Sequence, residues 1–557
     1  MAFINATSER PAEAGPVDPD WWRGAVIYQI YPRSFQDSND DGVGDLSGII
    51  HRMDYLQKLG VDAIWISPFF RSPMRDFGYD ISSFRDVDPL FGSMGDFDAL
   101  IHRAHSLGIR VLIDLVLSHT SSDHRWFKES RQSRDNPKSD WYVWADPKPD
   151  GSPPNNWLSI FGGSAWEWEG ERMQYYLHNF LIDQPDLNFH NPEVQDELLD
   201  IARFWLDKGV DGFRLDVVNF YFHDKELRDN PALPPDQRND NTAPSVNPYN
   251  FQDHLYSKTQ PENLVFLQKL RTLMDQYPAI TSVGEIGESQ RGMETQRDYT
   301  SNGRLHMAYD FDFLSTVFPS GGRIREVLER FDRIVTEGWA CWAFSNHDVE
   351  RWASRFGMNE MQRKQYAAIL MTLKGTVTLY QGEELGLTEA YVPYEDLQDP
   401  YGKRFWPKFK GRDGCRTPMP WTQDHFGGFT DQRPWLPMAV EHLDRAVSVQ
   451  ERTLDSTLTF YRSFIAFRKT LPALAKGRLE MIAADDDRLV LIRDDGVSRV
   501  FVAYNLGDAP LVVDLPEGDW TPRTDAPFAV EFGEDSVEIG PYQGAFAVTA
   551  SEQAREG

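Results

Sequence analysis

A local pattern that recurs three times constrains the fold of this chain more than any other feature. Each copy places Gly and then Val or Ile ahead of an apolar run, as in KLGVDAIWISP (58–68), SLGIRVLIDLV (106–116) and DKGVDGFRLDV (207–217). A helical pattern precedes each copy, and in 194–206 the apolar residues fall on one helical face. Glycine at a helix C-terminus favours the left-handed conformation that ends the helix. The repeated order of helix, glycine and buried strand predicts a parallel α/β fold.

Five further strand-like runs bring the number of predicted parallel strands to eight. They lie at 25–32, 281–287, 340–348 and 376–382, with one more near 307–313. Eight parallel strands over roughly 450 residues favour a (β/α)₈ TIM barrel that carries insertions. A doubly wound sheet is disfavoured because no phosphate-binding glycine fingerprint follows the first strand.

Changes in composition along the chain predict how it is divided. We expect four regions: a flexible tail at 1–20, a barrel at 21–119 and 188–474, a small domain inserted after the third strand at 120–187, and a C-terminal antiparallel β-sandwich at 475–557. A Pro- and Asn-rich loop at 225–262 follows the fourth strand. Loops of such length are commonly functional or disordered.

Charge and cysteine content narrow the class of protein. A net charge of −29 argues against nucleic acid or an anionic membrane as a partner. No apolar run is long enough to cross a bilayer, and residues 1–20 lack the apolar core of a secretory signal. Cys341 and Cys415 cannot build a disulfide framework, which suits a reducing cytoplasm. We expect a cytoplasmic monomer or homodimer; the charge does not indicate what the protein binds instead.

Charged residues end several predicted strands, where barrel enzymes place their catalytic groups. These residues are Asp114, His119, Arg214, Asp216, Glu285, His347 and Asp348. Charged groups in apolar strands are costly unless they are paired or used. We therefore expect these residues to converge on one functional site at the carboxyl ends of the barrel strands; the alternative is a buried ion-pair network. Two carboxyl groups that flank a bond, one as nucleophile and one as acid/base, are what retaining glycoside hydrolysis needs.

At these residues the sequence resembles glycoside hydrolase family 13, the α-amylase superfamily. Within it, the resemblance is to the oligosaccharide α-glucosidase branch, which includes oligo-1,6-glucosidases. It runs from about Trp21 to the C-terminal β region. Five motifs carry it in the family's order: DLVLSH (114–119), QPDLN (184–188), GFRLDVVNF (212–220), GEIG (284–287) and SNHD (345–348). QPDLN is the form typical of this branch.

The resemblance implies a catalytic role for each matching carboxylate. Asp216 would be the nucleophile, Glu285 the general acid/base and Asp348 the stabiliser of the transition state. Arg214 would keep Asp216 ionised through its positive charge. The implied activity is exo-acting, retaining release of terminal α-glucose from short α-glucosides such as maltose, isomaltose or sucrose. Another sugar in place of water would give transglucosylation, and no organic cofactor is implied.

The resemblance also implies which residues hold the terminal glucose. They are Asp76, Tyr79, His119, Phe180 and His347, with Tyr79 supplying a stacking face. Arg412, in GRDGCRTPMPW, matches an arginine that pairs with the position of Asp76 and closes the pocket beyond the last sugar; the alternative is an ordinary surface salt bridge. Val217 follows the nucleophile, and valine there goes with α-1,6 cleavage in relatives.

Departures from the family pattern bear on the exact activity. Ser118 and Phe77 each stand where Asn is common in the family or in close relatives, which bears on substrate preference. The phrase RLDRI, which marks sucrose isomerases, is absent, and 350–356 reads ERWASRF, so isomerisation is disfavoured. Two alternatives remain. A glucosyltransferase or sucrose-acting enzyme would use the same residues. A non-catalytic transporter subunit would carry a membrane span and tend to lack the carboxylates.

The segment DSNDDGVGD (37–45) has the oxygen-ligand spacing of the first part of an EF-hand loop, with Gly42 at its sixth position. The candidate ligands are Asp37, Asn39, Asp41, the Val43 carbonyl and Asp45. No glutamate occupies the twelfth position, where Gly48 stands. Hard oxygen donors suit Ca²⁺ or Mg²⁺, and the family resemblance implies a structural ion here. The alternative is a solvated acidic turn.

Overall fold

The eight predicted parallel strands are present and form one sheet that closes into a barrel. The computed structural model describes residues 18–309 and 311–551. Within them the barrel strands are β1 (Val26–Ile30), β2 (Ala63–Ile66), β3 (Arg110–Leu115), β4 (Gly212–Leu215), β5 (Thr281–Glu285), β6 (Met307–Tyr309), β7 (Cys341–Trp342) and β8 (Thr376–Tyr380). Their order in the sheet is β6-β5-β4-β3-β2-β1-β8-β7. In the described residues one parallel bridge, between Ala308 and Ala340, joins the two outer strands. The predicted (β/α)₈ barrel is confirmed.

Helices alternate with these strands, and their buried residues share one hydrophobic core with the sheet. The main helices are Leu46–His51, Met53–Leu59, Met94–Ser106, Pro192–Asp207, Asn263–Met274, Gly292–Thr300, Gly321–Ile334, Glu360–Thr372 and Thr457–Lys469. Shorter ones are Arg125–Ser130, Trp352–Arg355, Pro400–Phe405, Val440–Leu443, Val447–Gln450 and Pro472–Lys476. The apolar face predicted for 194–206 is buried in helix Pro192–Asp207. Gly60, Gly108 and Gly209 have φ of 89°, 73° and 92°, the left-handed conformation that the repeat predicts.

Smaller sheets lie inside the two regions that composition set apart from the barrel. Within 120–187, three antiparallel strands pair: Trp144–Ala145, Trp166–Glu169 and Gln174–Leu177. The C-terminal region has a five-stranded sheet of Arg478–Ala484, Arg488–Asp494, Ser498–Asn505, Gly544–Ala550 and Thr521–Pro522, and a three-stranded sheet of Leu511–Asp514, Ser536–Ile539 and Val530–Phe532. A two-stranded sheet, Phe70–Arg71 with Ser83–Val87, follows β2. The domain boundaries themselves stay predictions.

Most of the tail predicted at 1–20 lies outside the described residues, which begin at Asp18. The Asp18 carboxylate lies 2.9 Å from Nζ of Lys476, so the described chain begins against the barrel's last short helix. Among the helices of the described ranges, none is both long and apolar enough to cross a membrane.

Arg493 joins the C-terminal sheet to the barrel. Its fully buried guanidinium donates to three backbone carbonyls: Thr372 at 2.5 Å, Leu474 at 2.8 Å and Gly477 at 2.8 Å. Thr372 ends a barrel helix, and the other two carbonyls precede the first strand of the C-terminal sheet. A buried carbonyl left without a donor costs about 1–3 kcal/mol, so this side chain stabilises the contact between the two regions.

We expect Arg493→Met to lower the free energy of unfolding by about 3–5 kcal/mol, because three buried carbonyls lose their donor while the side-chain volume is largely kept. Differential scanning calorimetry measures the fall in Tm. The control is Arg478→Met on the same sheet, since the Arg478 side chain is 74% exposed. Equal small shifts for the two variants would contradict this account of the interface.

Candidate active site

The carboxyl ends of the barrel strands open into a cavity of about 700 Å³. Nine of the residues singled out in the sequence line it: Asp76, Tyr79, His119, Phe180, Asp216, Val217, Glu285, Asp348 and Arg412. Arg214 and His347 lie beneath the cavity floor and are almost fully buried. The sequence-predicted residues are therefore brought together at one mouth, as barrel enzymes require.

The Arg214 guanidinium is shared by three carboxylates. The strand register places Asp114 of β3 and Val283 of β5 beside Arg214 of β4. Nη1 of Arg214 contacts Asp114 at 2.9 Å and Asp216 at 2.5 Å, and Nη2 contacts Glu285 at 2.5 Å. One cation and three carboxylates leave an excess of negative charge in a buried site. Like charges held so close favour retention of a proton within the cluster.

Burial and charge act in opposite directions on these carboxylates. Burial raises the pKa of Asp114 to about 6, while Arg214 opposes the rise. Burial also raises the pKa of Asp216 well above its ordinary value, and the Arg214 charge is the strongest effect that lowers it. Ionisation of Asp216 therefore depends on Arg214. The cluster can hold an ionised carboxylate and a protonated one side by side, which nucleophilic attack and leaving-group protonation need.

The backbone at Val217 is strained, which the sequence did not reveal. Its φ of 35° and ψ of 51° are left-handed, a conformation that β-branched residues rarely adopt. In this conformation the Val217 amide donates to Oε2 of Glu285 at 3.1 Å. Strain of this kind persists where the surrounding structure imposes it, typically at functional sites. The residue after Asp216 therefore holds the carboxyl group of Glu285 through its backbone.

A second network joins the residues predicted to hold glucose. The Tyr79 hydroxyl lies 3.0 Å from Asp114 and 2.6 Å from Nε2 of His347, and the two rings stack at 5.3 Å. Nδ1 of His347 contacts the amide of Gln29 at 2.7 Å. Burial lowers the pKa of His347 to about 3 and that of His119 to about 4. Both imidazoles are therefore neutral near pH 7 and act as hydrogen-bonding groups.

Arg412 pairs with Asp76, as the motif resemblance implied. Its Nη2 lies 2.8 Å from Asp76 and 2.9 Å from Asp399, and its Nη1 lies 3.0 Å from Asp348. The Arg412 side chain is only 10% exposed, so the alternative of an ordinary surface salt bridge does not describe it. Both residues of the pair line the cavity.

Arg416 and Asp399 were not identified from the sequence as residues of the site. Nη2 of Arg416 contacts Asp348 at 2.8 Å. Burial acts to raise the pKa of Asp348, but its neighbours His347, Arg412 and Arg416 hold that pKa well below the usual range. Asp348 therefore stays ionised. Arg416 follows Arg412 by four residues in the same polar segment, and that spacing was the available signal.

Aromatic side chains and the long loop form the rest of the cavity wall. Phe180 packs 5.2 Å from His119 and 5.4 Å from Phe220, measured between ring centroids. Residues 240–245 of the 225–262 loop line the opening. The loop contains the short helices Pro235–Gln237 and Pro248–Phe251. The interpretation of this loop as functional is thus consistent with its place at the cavity.

The loop at 37–45 wraps around Asp37, whose carboxylate accepts from the amides of Asn39, Asp40 and Gly42 at 2.8–2.9 Å. Burial raises the pKa of Asp41, and the charges of Asp37 and Asp45 raise it further. In the described ranges no group of three or more His, Cys, Asp or Glu side chains is arranged to hold a metal ion. The oxygen-rich donor set nevertheless suits a hard cation, which would relieve the repulsion between these carboxylates.

The chain is similar to known glucosidases over nearly its whole length. A family model described as the α-amylase catalytic domain matches residues 29–477. The chain is 59% identical over 534 residues to a probable α-glucosidase of Rhizobium meliloti (strain 1021), a match that covers 95% of this chain and 97% of the relative. It is 37% identical over 541 residues to an oligo-1,6-glucosidase of Heyndrickxia coagulans, covering 90% of this chain and 95% of the relative.

Solved structures of related enzymes have the same fold. An α-glucosyl transfer enzyme is similar with a TM-score of 0.92 and 55% identity, covering 95% of this chain and 99% of that chain. The trehalulose synthase MutB from Pseudomonas mesoacidophila MX-45 is similar with a TM-score of 0.85 and 33% identity, covering 96% and 100%. The family match, the identities and the shared fold agree with the motifs: the chain belongs to the α-amylase family, glycoside hydrolase family 13, and is a glycoside hydrolase of the glucosidase type.

Proposed function

We propose that the protein is an exo-acting α-glucosidase that releases terminal, non-reducing α-glucose from short α-glucosides with retention of configuration. The observation that carries this proposal is the buried ion pairing of Arg412 with Asp76 and Asp348 at the cavity lining, which we interpret as a wall that closes the pocket beyond the terminal sugar. A pocket closed beyond one sugar admits a chain end and excludes the middle of a chain. Maltose- and isomaltose-type sugars, and sucrose, have such ends.

In the first step Asp216 attacks the anomeric carbon while Glu285 gives its proton to the leaving oxygen. The products are a β-glucosyl ester on Asp216 and the free leaving sugar. Arg214 contacts both carboxylates and so fixes their relative position. Two carboxyl groups held by one guanidinium favour the short separation, about 5–5.5 Å, that retaining enzymes use.

In the second step Glu285, now ionised, takes a proton from water while the water oxygen attacks the anomeric carbon. The ester bond breaks, α-glucose is released, and Asp216 is regenerated as a carboxylate. Asp348, kept ionised by its arginines, supports the positive charge that develops on the sugar in both steps. Tyr79 supplies a flat face for the glucose ring.

Transfer of glucose to another sugar or alcohol is a second activity that we propose for the same site. It is favoured by the 55% identity to a solved enzyme named for α-glucosyl transfer. An acceptor hydroxyl that replaces water passes through the same two steps. Chromatography of products from maltose and from sucrose separates the possibilities. Glucose alone from maltose, or glucose and fructose from sucrose, indicates hydrolysis. Longer glucosides indicate transfer, and isomers of sucrose would indicate the reaction named for trehalulose synthase.

We further propose that the loop at 37–45 holds a structural Ca²⁺ or Mg²⁺ through Asp37, Asn39, Asp41, the Val43 carbonyl and Asp45. Such an ion would brace the loop and take no part in the reaction. A cytoplasmic location and a monomeric or homodimeric state also remain predictions.

Substitution of Asp216 and substitution of Glu285 are expected to impair the reaction in different ways. Asp216→Asn should lose activity on the order of a thousandfold or more, because no covalent ester can form. Glu285→Gln should fail most on maltose and be partly spared on activated aryl α-glucosides, whose leaving groups need less protonation. Steady-state kinetics with both substrates measure this. Near-normal maltose hydrolysis by either variant would contradict the role proposed for the substituted residue.

Val217 is expected to bias the choice of linkage. Val217→Thr keeps the β-branched shape at φ 35° and so leaves the backbone strain unchanged, while it adds a hydroxyl to the leaving-group side. The ratio of kcat/KM for maltose to that for isomaltose should rise, by an amount corresponding to about 1–3 kcal/mol at most. Val497→Thr, at an exposed hairpin position, is the control. An unchanged ratio would assign linkage choice to the 225–262 loop.

The proposed ion is expected to stabilise the fold more than it affects turnover. Added Ca²⁺ or Mg²⁺ should raise the Tm of the wild type above its value in chelator, because the ion binds the folded state preferentially. Asp41→Ala should abolish this difference, whereas Asp40→Ala, in the same loop, should keep it. The readout is a difference within each variant, so the intrinsic cost of each substitution cancels. Identical wild-type melting curves in chelator and in either ion would rule out the site.

A further inference from the structure

Lys258 is a buried cation for which the reaction described above has no assigned use. It lies near the end of the 225–262 loop and is 1% exposed. In the described part of the chain, no carboxylate forms a salt bridge with its ammonium group. Burying an ammonium costs several kcal/mol, so its hydrogen bond and the nearby negative charges of Glu288 and Asp253 must offset that cost.

The contacts of Lys258 converge on the backbone that follows Glu285. Its Nζ donates to the Gly287 carbonyl at 2.6 Å. The same ammonium lies 5.1 Å from the ring centroid of Phe220 and 5.6 Å from that of Tyr249, within the range of cation–π attraction. Gly287 and Phe220 both line the active-site cavity. Lys258 thus supports two parts of the cavity wall from behind.

Asn219 and Thr259 belong to a hydrogen-bond network around Gly287. The Asn219 side chain accepts from the Gly287 amide at 3.0 Å and donates to its carbonyl at 3.2 Å. The Thr259 amide donates to the Asn219 carbonyl at 2.6 Å. Asn219 stands three residues after Asp216, and Gly287 stands two residues after Glu285. This network therefore links the segment after Asp216 to the segment after Glu285, and Lys258 contacts it through the Gly287 carbonyl.

We propose that Lys258 is a positioning residue that fixes the carboxyl group of Glu285 against the leaving-group oxygen. Its ammonium anchors the Gly287 carbonyl, and loss of that anchor lets the end of β5 shift relative to Asp216. Proton transfer depends on distance within a few tenths of an ångström, and misplacement by about 1 Å can cost 10²-fold in rate. Arg214 contacts both carboxylates, but the hydrogen bond of Lys258 ends on the Gly287 carbonyl, two residues after Glu285. The shift therefore falls mainly on Glu285, and nucleophilic attack by Asp216 is less affected.

This inference rests on the proposed function, and it predicts an effect that depends on the leaving group. Lys258→Met should lower kcat/KM for maltose about 10- to 100-fold. For 2,4-dinitrophenyl α-glucoside, which leaves with little protonation, kcat/KM should fall less than about threefold. Lys258→Arg, which keeps a charged donor, should restore part of the loss on maltose. Lys269→Met, at an exposed lysine of the following helix, is the control and should change neither value.

The ratio of kcat/KM for maltose to kcat/KM for 2,4-dinitrophenyl α-glucoside tests the positioning role of Lys258, because this ratio does not depend on the fraction of folded enzyme. If Lys258→Met does not fold, as judged by circular dichroism, Lys258→Gln is measured in the same way. Equal losses on the two substrates would overturn the proposal and leave Lys258 a stabiliser of the loop. A wild type that cleaves neither substrate would instead refute the proposed function.

Discussion

The arrangement at the barrel mouth depends on one guanidinium that three carboxylates share. Arg214 is buried, and its contacts with Asp114, Asp216 and Glu285 span three neighbouring strands. A single positive charge cannot neutralise all three groups, so the excess negative charge favours retention of a proton within the cluster. The same cation fixes how far apart the two catalytic groups stand. Geometry and protonation, which the reaction needs together, therefore have one physical source.

The barrel and its catalytic carboxylates could be predicted because both signals are local. β2, β3 and β4 each follow a helix and a glycine within a few residues, and Asp114, Asp216 and Glu285 lie at or just after the ends of barrel strands. Asp114 and Arg214 occupy matching positions on β3 and β4, so the strand register alone brings them together. Parallel strands point their carboxyl ends the same way. A short-range pattern therefore placed residues that are 100 positions apart in the chain.

The remaining parts of the site depend on long connections whose course no periodic pattern specifies. Arg416 reaches Asp348 from 68 positions away, out of the long connection that follows β8. Lys258 reaches Gly287 across the end of the long loop. The left-handed backbone of Val217 runs against the preference of a β-branched residue, so local propensity predicts the opposite conformation. In each case tertiary contacts override what the neighbouring sequence favours.

The barrel has a seam, and its position has a dynamic consequence. β6 and β7 have three and two residues, and within the described ranges the Ala308–Ala340 bridge is what connects them. Few ladder hydrogen bonds mean a low free energy of local opening, so amide exchange should begin there. Tyr309, which ends β6, donates to Glu285 at 3.2 Å. Local opening at the seam therefore reaches the charged cluster at the barrel mouth by two contacts of one hydroxyl, because Tyr309 also accepts from Nη2 of Arg214 at 2.9 Å.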